Sequence, residues 1–155
     1  AVYPVKADGK IFIVAPDRYT TSLDAETGKQ IWRSNKHKGR ESIGVSGDKQ
    51  LIFTKAMHDS LFAYQTDPDK MSLKWSMDLG FGYEISPSPI TTRDSVIYVP
   101  TDDGRIFAVD RGTQQTLWVY KISNAMVNYV LPLGDNEVLA TTMDGKIIRL
   151  RYKGS

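Results

Sequence analysis

Short apolar runs and alternating stretches follow one another along the chain in a recurring order. The apolar runs resemble strands that are covered on both faces, and the alternating stretches resemble strands with one solvated face. The apolar runs stand at 11–14, 51–53, 96–99 and 138–140. The alternating stretches follow them at 19–23, 60–64, 105–109 and 146–150. The order predicts a strand pair that repeats four times.

The segments between these runs carry the residues that β-turns require. Asp103-Gly104 and Asp144-Gly145 are hairpin-type pairs, and Gly47 and Gly134 lie in similar polar turns. No segment shows a sustained period of 3.6 residues, so we expect almost no helix. The pattern predicts an all-β chain of antiparallel strands.

The three tryptophans give the length of the repeat. Trp32, Trp75 and Trp118 are each 43 residues apart, and a period of about 40–50 residues is typical of a four-stranded β-propeller blade. We therefore predict a single propeller segment, half of a seven- or eight-bladed ring. Its four blades cover approximately residues 1–35, 36–79, 80–122 and 123–155, and the last blade lacks its outer strand.

Each blade is expected to contain strands A to D, with the tryptophan at the end of strand D. Strand A is placed near residues 2–6, 42–46, 89–92 and 128–133. Recurrence at a fixed period favours the tryptophans as core between blades, with each indole N–H reaching a neighbouring carbonyl oxygen.

The turn before strand D has a recognisable composition in two blades. Asp24 and Asp110 are expected to tie the turn through their side chains, and Gly28 is expected to supply a positive φ. Gln114 replaces this glycine in the third blade, so that turn is expected to differ slightly.

These residues resemble the tryptophan-docking motif of pyrroloquinoline-quinone-type propeller repeats, with the pattern Ala-x-Asp-x-x-x-Gly-x-x-x-Trp. The resemblance covers nearly the whole chain. The first copy departs from the pattern at Ser22, the third at Gln114, and the second between its alanine and its tryptophan. The matching residues are Asp24, Gly28 and Trp32, then Ala63 and Trp75, then Ala108, Asp110 and Trp118.

The resemblance implies one of two kinds of function. Some members of this family are quinone-dependent dehydrogenases with eight blades, a Ca²⁺ site, a catalytic Asp and often a vicinal disulfide. Others are quinone-free scaffolds, such as envelope assembly lipoproteins and domains attached to kinases or phosphoesterases. The chain has no Cys and no assignable ligand triplet, which favours a non-catalytic member without cofactor. Pyrroloquinoline quinone and Ca²⁺ are expected only under the dehydrogenase alternative.

Composition adds few constraints. The chain is 41% hydrophobic and 25% charged, with a net charge of +2, which is ordinary for a globular protein and does not favour nucleic acid as a partner. The absence of Cys excludes disulfides and thiolate metal sites. No apolar run reaches the roughly 18 residues that a transmembrane helix needs.

Propellers bind partners through the loops of one face. We expect loops after each tryptophan: a basic one at 33–41, a Gly-rich aromatic one at 77–87 with exposed Phe81 and Tyr83, and a third at 119–126. The turns between strands B and C are expected to face the same side. The candidate binding surface consists of Arg18, Lys36, His37, Lys38, Arg40, His58, Phe81, Tyr83, Glu84, Asn124 and Asn128.

No catalytic or metal-binding residue is predicted. His58 and Asp59 are neighbours on a turn, which rarely makes a general-base dyad, and no Ser nucleophile is placed beside them. His37 and His58 lack the spacing of metal ligands. Asp102-Asp103-Gly104 lacks the twelve-residue Ca²⁺-loop pattern.

An incomplete ring leaves unpaired blade faces. The chain is therefore expected to be part of a longer polypeptide or to complete its ring as a homodimer, with apolar blade faces that promote association. The preferred function is a non-catalytic scaffold that binds protein or carbohydrate in the bacterial periplasm or envelope. The alternatives are a fragment of a quinone-dependent dehydrogenase, and a regulatory propeller domain on an enzyme such as a phosphoesterase.

Overall fold

The computed structural model describes residues 4–85 and 88–153, apart from the side chains of residues 35 and 41. These residues form antiparallel strands and turns, and they contain no helix. An all-β chain is therefore confirmed. The chain divides into two compact units, Ala1–Pro87 and Ser88–Ser155. No helix in the described part of the chain is long and apolar enough to cross a membrane.

The first unit is one seven-stranded antiparallel sheet in which the strands follow their order in the sequence. Strands β2, β3, β5 and β6 contain the predicted apolar and alternating runs. The strands are β1 (Val5–Ala7), β2 (Lys10–Val14), β3 (Tyr19–Asp24), β4 (Gln30–Val45), β5 (Leu51–Ala56), β6 (His58–Thr66) and β7 (Met71–Tyr83).

Two of the predicted loops in this unit are strands instead. The first half of β4 pairs with β3, where Ser22 faces Trp32, and its second half pairs with β5, where Val45 faces Ile52. The expected loop at 33–41 is thus the middle of one long strand, which pairs with β3 as far as Lys38 and with β5 from Gly39. The expected loop at 77–87 is strand as far as Tyr83, and its residues 86 and 87 lie outside the described residues.

The second unit contains two smaller antiparallel sheets. Their orders are β11-β10-β9-β8 and β12-β13-β14. Strand β11 continues three residues beyond Trp118, so here too the outer strand does not end at its tryptophan. The strands are β8 (Thr91–Arg93), β9 (Val96–Pro100), β10 (Arg105–Asp110), β11 (Gln115–Lys121), β12 (Val127–Gly134), β13 (Glu137–Thr142) and β14 (Ile147–Arg151).

Trp32 and Trp118 each pack against the core cluster of their own unit, whereas Trp75 packs against Phe53 of its own repeat. Trp32 packs edge-on against Tyr64 of the following repeat, with ring centroids 5.9 Å apart. Trp118 packs on the cluster that includes Val130 and Val138 of the following repeat. Its buried indole N–H, however, has no hydrogen-bond partner among the described residues. The expected bond to a carbonyl oxygen is therefore wrong for Trp118.

The turn before strand D is the same in the first and third repeats. Asp24 Oδ1 accepts hydrogen bonds from the backbone N–H groups of Glu26 and Thr27, both at 2.9 Å. Asp110 Oδ1 accepts two corresponding bonds, at 2.8 and 3.0 Å. Gly28 has φ +73° and Gln114 has φ +54°. The expected difference at Gln114 is absent, because the glutamine adopts the left-handed conformation itself.

Candidate functional site

A buried ion pair fixes the end of strand β7 in the first unit. Lys55 Nζ lies 2.7 Å from Glu84 Oε1, and the two side chains are 0% and 1% exposed. The backbone N–H of Glu84 also donates to Met57 O at 2.8 Å. Charges at this depth are stable only when they are paired, so the two interactions hold the segment after β7 against the end of β5.

Arg40 ties the same segment from strand β4. Its Nε donates to the backbone oxygen of Glu84, and its Nη2 donates to Tyr83 Oη at 2.8 Å. The guanidinium carbon also lies 5.3 Å from the centre of the Tyr83 ring. A guanidinium has five donors, and these two bonds leave donors for a ligand.

The outer layer of this region is exposed and partly apolar. Tyr83 is 60% exposed and Ile85 is 65% exposed, and the side chain of His58 is 67% exposed. His58 and Tyr83 are cross-strand partners. We call Arg40, His58, Tyr83 and Ile85 the Arg40–Tyr83 surface. An exposed tyrosine held by an arginine on a fixed backbone is suited to recognition, because little conformational freedom is lost on binding.

Two of the predicted surface residues lie beneath this surface. Phe81 is 3% exposed and Glu84 is 1% exposed, so the expectation that Phe81 is exposed is wrong, and Glu84 is not available to a partner. Phe81 lies on the buried side of β7, where the Lys55 ammonium lies 6.0 Å from its ring centre. Glu84 points inward because it is the partner of Lys55.

The turns beside the surface are ordered by backbone contacts. Arg18 and Asp59 adopt positive φ angles of 73° and 59°. Arg18 Nη1 lies 2.8 Å from Met57 Sδ, which places it at the edge of the same region. His58 Nδ1 lies 2.9 Å from Asp59 Oδ2, while the other carboxylate oxygen of Asp59 accepts the N–H of Gly82 at 2.7 Å. His58 and Asp59 are therefore in contact, but Asp59 also accepts a hydrogen bond from the backbone at Gly82.

The remaining candidates are not part of this cluster. Lys38 Nζ lies 5.4 Å from the centre of the Tyr19 ring, and His37 packs against Phe62 with ring centroids 5.1 Å apart. Lys36 is exposed on β4. Asn124 and Asn128 belong to the second unit, where Asn124 is exposed and Asn128 is half-buried. The structure therefore gathers Arg18, Arg40, His58, Phe81, Tyr83 and Glu84, four of them accessible.

The sequence did not lead to Lys55, whose ion pair with Glu84 holds the backbone of the site. A lysine near the end of the apolar run that begins at Leu51 was the available signal, because a buried lysine needs a paired charge. The Asp103-Gly104 turn of the second unit, which the sequence predicts, is held by side-chain contacts. Thr101 and Arg105 both bond to Asp103. Burial raises the pKa of Asp103, but its hydrogen bonds from Arg105 and Thr101 outweigh this and hold the pKa below its usual value.

The possible metal ligands are dispersed. Within residues 4–85 and 88–153, no group of three or more His, Asp or Glu side chains converges in a way that would hold a metal ion.

Comparison with known proteins identifies one matching family model and two proteins of similar sequence. A family model described as outer membrane protein assembly factor BamB matches residues 16–155. BamB of Burkholderia pseudomallei (strain K96243) is 26% identical over 155 residues, covering 97% of this chain and 39% of that protein. A quinoprotein ethanol dehydrogenase of Pseudomonas aeruginosa is 27% identical over 138 residues, covering 74% of this chain and 22% of that enzyme. The chain thus spans well under half the length of both relatives.

Solved structures agree on the fold. The crystal structure of BamB from Moraxella catarrhalis superposes with a TM-score of 0.75 at 19% identity, covering 97% of this chain and 44% of that one. The computationally designed Ika4 protein superposes with a TM-score of 0.73 at 16% identity, covering 96% of this chain and 88% of that one. The predicted β-propeller fold and the resemblance to pyrroloquinoline-quinone-type repeats are confirmed.

Proposed function

Because the chain belongs to the family of the outer membrane protein assembly factor BamB, we propose that it is a non-catalytic scaffold that binds a partner protein in the bacterial envelope. Because the family is described as an assembly factor of outer membrane proteins, the partner would be a protein that takes part in that assembly. The Arg40–Tyr83 surface is the proposed contact. No resident cofactor is part of this proposal.

The observation that carries the proposal is the exposure of Tyr83. Tyr83 is 60% exposed, and it is held by Arg40 and by the segment that the buried Lys55–Glu84 pair fixes. Tyrosine and arginine, with tryptophan, are enriched among the residues that dominate protein interfaces. Tyr83 and Arg40 are in contact, exposed Ile85 lies two residues further along the chain, and together they offer an aromatic anchor and cationic donors.

The charge of the Arg40–Tyr83 surface indicates which chemical groups a partner should carry. Arg40 and Arg18 are the cations on this side, and Asp59 is already engaged with His58 and Gly82. A carboxylate beside an apolar side chain would meet the free donors of Arg40 and the ring of Tyr83.

In vivo complementation with site-specific crosslinking tests this function. The full-length protein, with a photo-crosslinking residue in place of Tyr83, should crosslink in its host to a protein of the outer membrane assembly machinery. Tyr83→Ala and Arg40→Ala should each abolish the complementation of a deletion strain's outer membrane defect. Tyr120→Ala is the matched control, since Tyr120 is 55% exposed on the second unit. Full complementation by both surface variants would refute the proposed contact.

The dehydrogenase relative supports a second candidate function, a fragment of a quinone-dependent enzyme. Its 27% identity lies close to the 26% of the BamB relative, so identity alone does not separate the two. Titration with pyrroloquinoline quinone and Ca²⁺, followed by absorbance and calorimetry, separates them directly. The scaffold proposal expects no saturable uptake, and stoichiometric quinone binding would favour the enzyme.

A further inference from the structure

A second tyrosine is in contact with cations of the long strand that carries Arg40. Tyr19 on β3 has the Arg33 guanidinium carbon 4.4 Å and the Lys38 ammonium 5.4 Å from its ring centre. Both cations belong to β4, and both distances are within the range of a cation–π interaction. Asp17 Oδ2 accepts a hydrogen bond from Arg33 Nη2 at 2.6 Å, and its Oδ1 accepts the Tyr19 N–H at 3.0 Å. We call Tyr19, Arg33 and Lys38 the Tyr19 cluster.

Strand β4 connects the Tyr19 cluster to the Arg40–Tyr83 surface. Lys38 is the cross-strand partner of Tyr19. The N–H of the next residue, Gly39, donates to Arg18 O at 2.7 Å, and Arg40 follows directly. Residues two apart in a strand have Cα atoms about 6.6 Å apart. Lys38 and Arg40 are therefore two cationic residues at short spacing on a hydrogen-bonded backbone.

The cations of this region outnumber the carboxylates that can pair with them. Lys38 contacts the Tyr19 ring and makes no ion pair among the residues that the structure describes. Both hydrogen bonds of Arg40 go to neutral oxygens, and Arg18 contacts a neutral sulfur. An anionic ligand can therefore approach these three cations without breaking an existing ion pair. Three carboxylates of the region are already engaged: Asp17 with Arg33, Asp59 with His58, and Glu84 with Lys55.

The backbone at this surface argues against a single phosphate group as the ligand. Phosphate sites usually gather several free backbone N–H groups, whereas the N–H groups of Gly39 and Glu84 are already bonded to backbone oxygens. The cations are instead spaced along one strand, and each contacts a tyrosine ring. An extended peptide matches this arrangement, because its side chains two residues apart lie on one side at a similar spacing.

We propose that this surface binds an extended acidic segment of a partner protein, in which two carboxylates two residues apart pair with Lys38 and Arg40. The proposal rests on the proposed function, since it uses the same Arg40–Tyr83 surface, and it adds the conformation and the charge spacing of the partner. Apolar parts of the flanking side chains would pack on the rings of Tyr19 and Tyr83. One exposed ion pair contributes little, so the spacing of two pairs provides specificity more than affinity.

Peptide titration tests the spacing of the carboxylates. Two blocked peptides of identical composition, one with Glu-Leu-Glu and one with Glu-Glu-Leu at its centre, are titrated into the full chain and followed by NMR chemical shifts. The Glu-Leu-Glu peptide should bind more tightly, because adjacent side chains of an extended segment point to opposite sides. Lys38→Gln should weaken its binding about three- to fivefold, the loss expected for one exposed ion pair.

A matched control separates this contact from net charge. Lys36 is also an exposed cation of β4, and Lys36→Gln removes the same charge without touching the Tyr19 cluster, so it should bind the Glu-Leu-Glu peptide as the native chain does. Equal binding of the two peptides, unchanged binding in Lys38→Gln, or no binding at millimolar concentration would each overturn the proposal. Cosedimentation with phosphatidylglycerol vesicles that is lost in Lys38→Gln would also overturn it, in favour of a membrane surface.

Crosslinking in the host distinguishes this inference from the proposed function. The photo-crosslinking residue in place of Tyr83 is combined with Lys38→Glu or with Lys36→Glu. Loss of the crosslink with Lys38→Glu alone supports an acidic partner segment. A crosslink that persists with Lys38→Glu would leave the partner protein in place and overturn only the acidic segment. Absence of the crosslink in the otherwise native chain would overturn the proposed function itself.

Discussion

At the scale of single residues, the turn before strand D requires a particular backbone conformation rather than a particular residue type. The equivalent turn positions Gly28 and Gln114 both have positive φ. Glutamine carries the penalty of a Cβ in this region, and Gln114 Nε2 offsets part of it by donating to the oxygens of Arg111 and Gly112 at 2.8 and 2.9 Å. A glycine at this turn is therefore favoured but not obligatory.

The first prediction concerns Gly28. Gly28→Ala should destabilise the chain by about 1 kcal/mol, because alanine is strained at φ +73°, although a Cβ there would meet nothing within 4 Å. Urea unfolding measures the difference. Gly47→Ala is the matched control, since Gly47 has open space and no positive φ, and it should be neutral or slightly stabilising. Equal effects of the two substitutions would contradict the argument.

The second prediction concerns the ion pair beneath the Arg40–Tyr83 surface. Glu84→Leu leaves the ammonium of Lys55 buried without its partner and should cost about 3–5 kcal/mol of unfolding free energy. The double variant Lys55→Met with Glu84→Leu should lose less than the sum of the single losses, since neither charge remains. A double-mutant cycle in urea measures the coupling, and additive losses would show that the two side chains act independently.

At the scale of elements, the sequence predicted the inner strands and missed the joins between repeats. The apolar run from Leu51 is a strand that is buried on both faces, the run from Ile11 is a strand with one buried and one half-buried face, and both runs are visible in the residues themselves. The stretch around Lys38 reads as a loop because it is polar and basic, yet it is strand, since β4 bonds to β3 and then to β5. Both partners are neighbouring strands in the sequence, but β4 changes partner within its polar middle, and the pattern of apolar and polar residues does not record that change.

Strands β13 and β14 are linked by ion pairs between their side chains. Glu137 on β13 accepts hydrogen bonds from Arg149 and Arg151 on β14, with Arg151 Nη2 at 2.8 Å from Glu137 Oε2. The bonds from Arg151, and then those from Arg149, hold the pKa of Glu137 below its usual value. The carboxylate therefore favours the folded state wherever it is ionised.

The third prediction follows from the sign of this shift. A carboxyl group whose pKa is lower in the folded state stabilises above its unfolded pKa, and this stabilisation is lost as the pH falls through the folded value. The stability difference between the native chain and Glu137→Gln should be full at neutral pH and should shrink as the pH falls below 4.5. Urea unfolding across that range at constant salt measures it. A difference that stays constant with pH would contradict the role of Glu137.

At the scale of the whole molecule, the fold was predictable and the site only partly so. The 43-residue spacing of Trp32, Trp75 and Trp118 was enough to predict the propeller fold. The same strand pattern recurs in each repeat, so an ambiguous strand in one repeat is identified from the others. The site depends on Lys55 and Glu84, which are 29 residues apart in sequence and do not recur in the other repeats. Arg40 and Tyr83 could therefore be predicted from the sequence as candidates, but the Lys55–Glu84 ion pair that positions them could not.

Strand β12 of the second unit has an apolar face that a single copy of the chain leaves exposed. Tyr129, Leu131 and Leu133 alternate along it and are 44%, 43% and 41% exposed. Ile147, which lies across the same sheet, is 73% exposed. Apolar groups that line up in this way on one sheet commonly mark an interface, and symmetric dimers are the most common assemblies.

The fourth prediction is that this face drives self-association of the chain. Size-exclusion chromatography with light scattering should show a mass that rises above that of the monomer as the concentration increases. Leu131→Glu should restore the monomer by placing a charge in the apolar face, without disturbing a buried residue. Leu117→Glu is the control, since Leu117 is similarly exposed, at 38%, on a different sheet, and it should associate as the native chain does. A monodisperse monomer at all concentrations would show that a second copy does not cover this face.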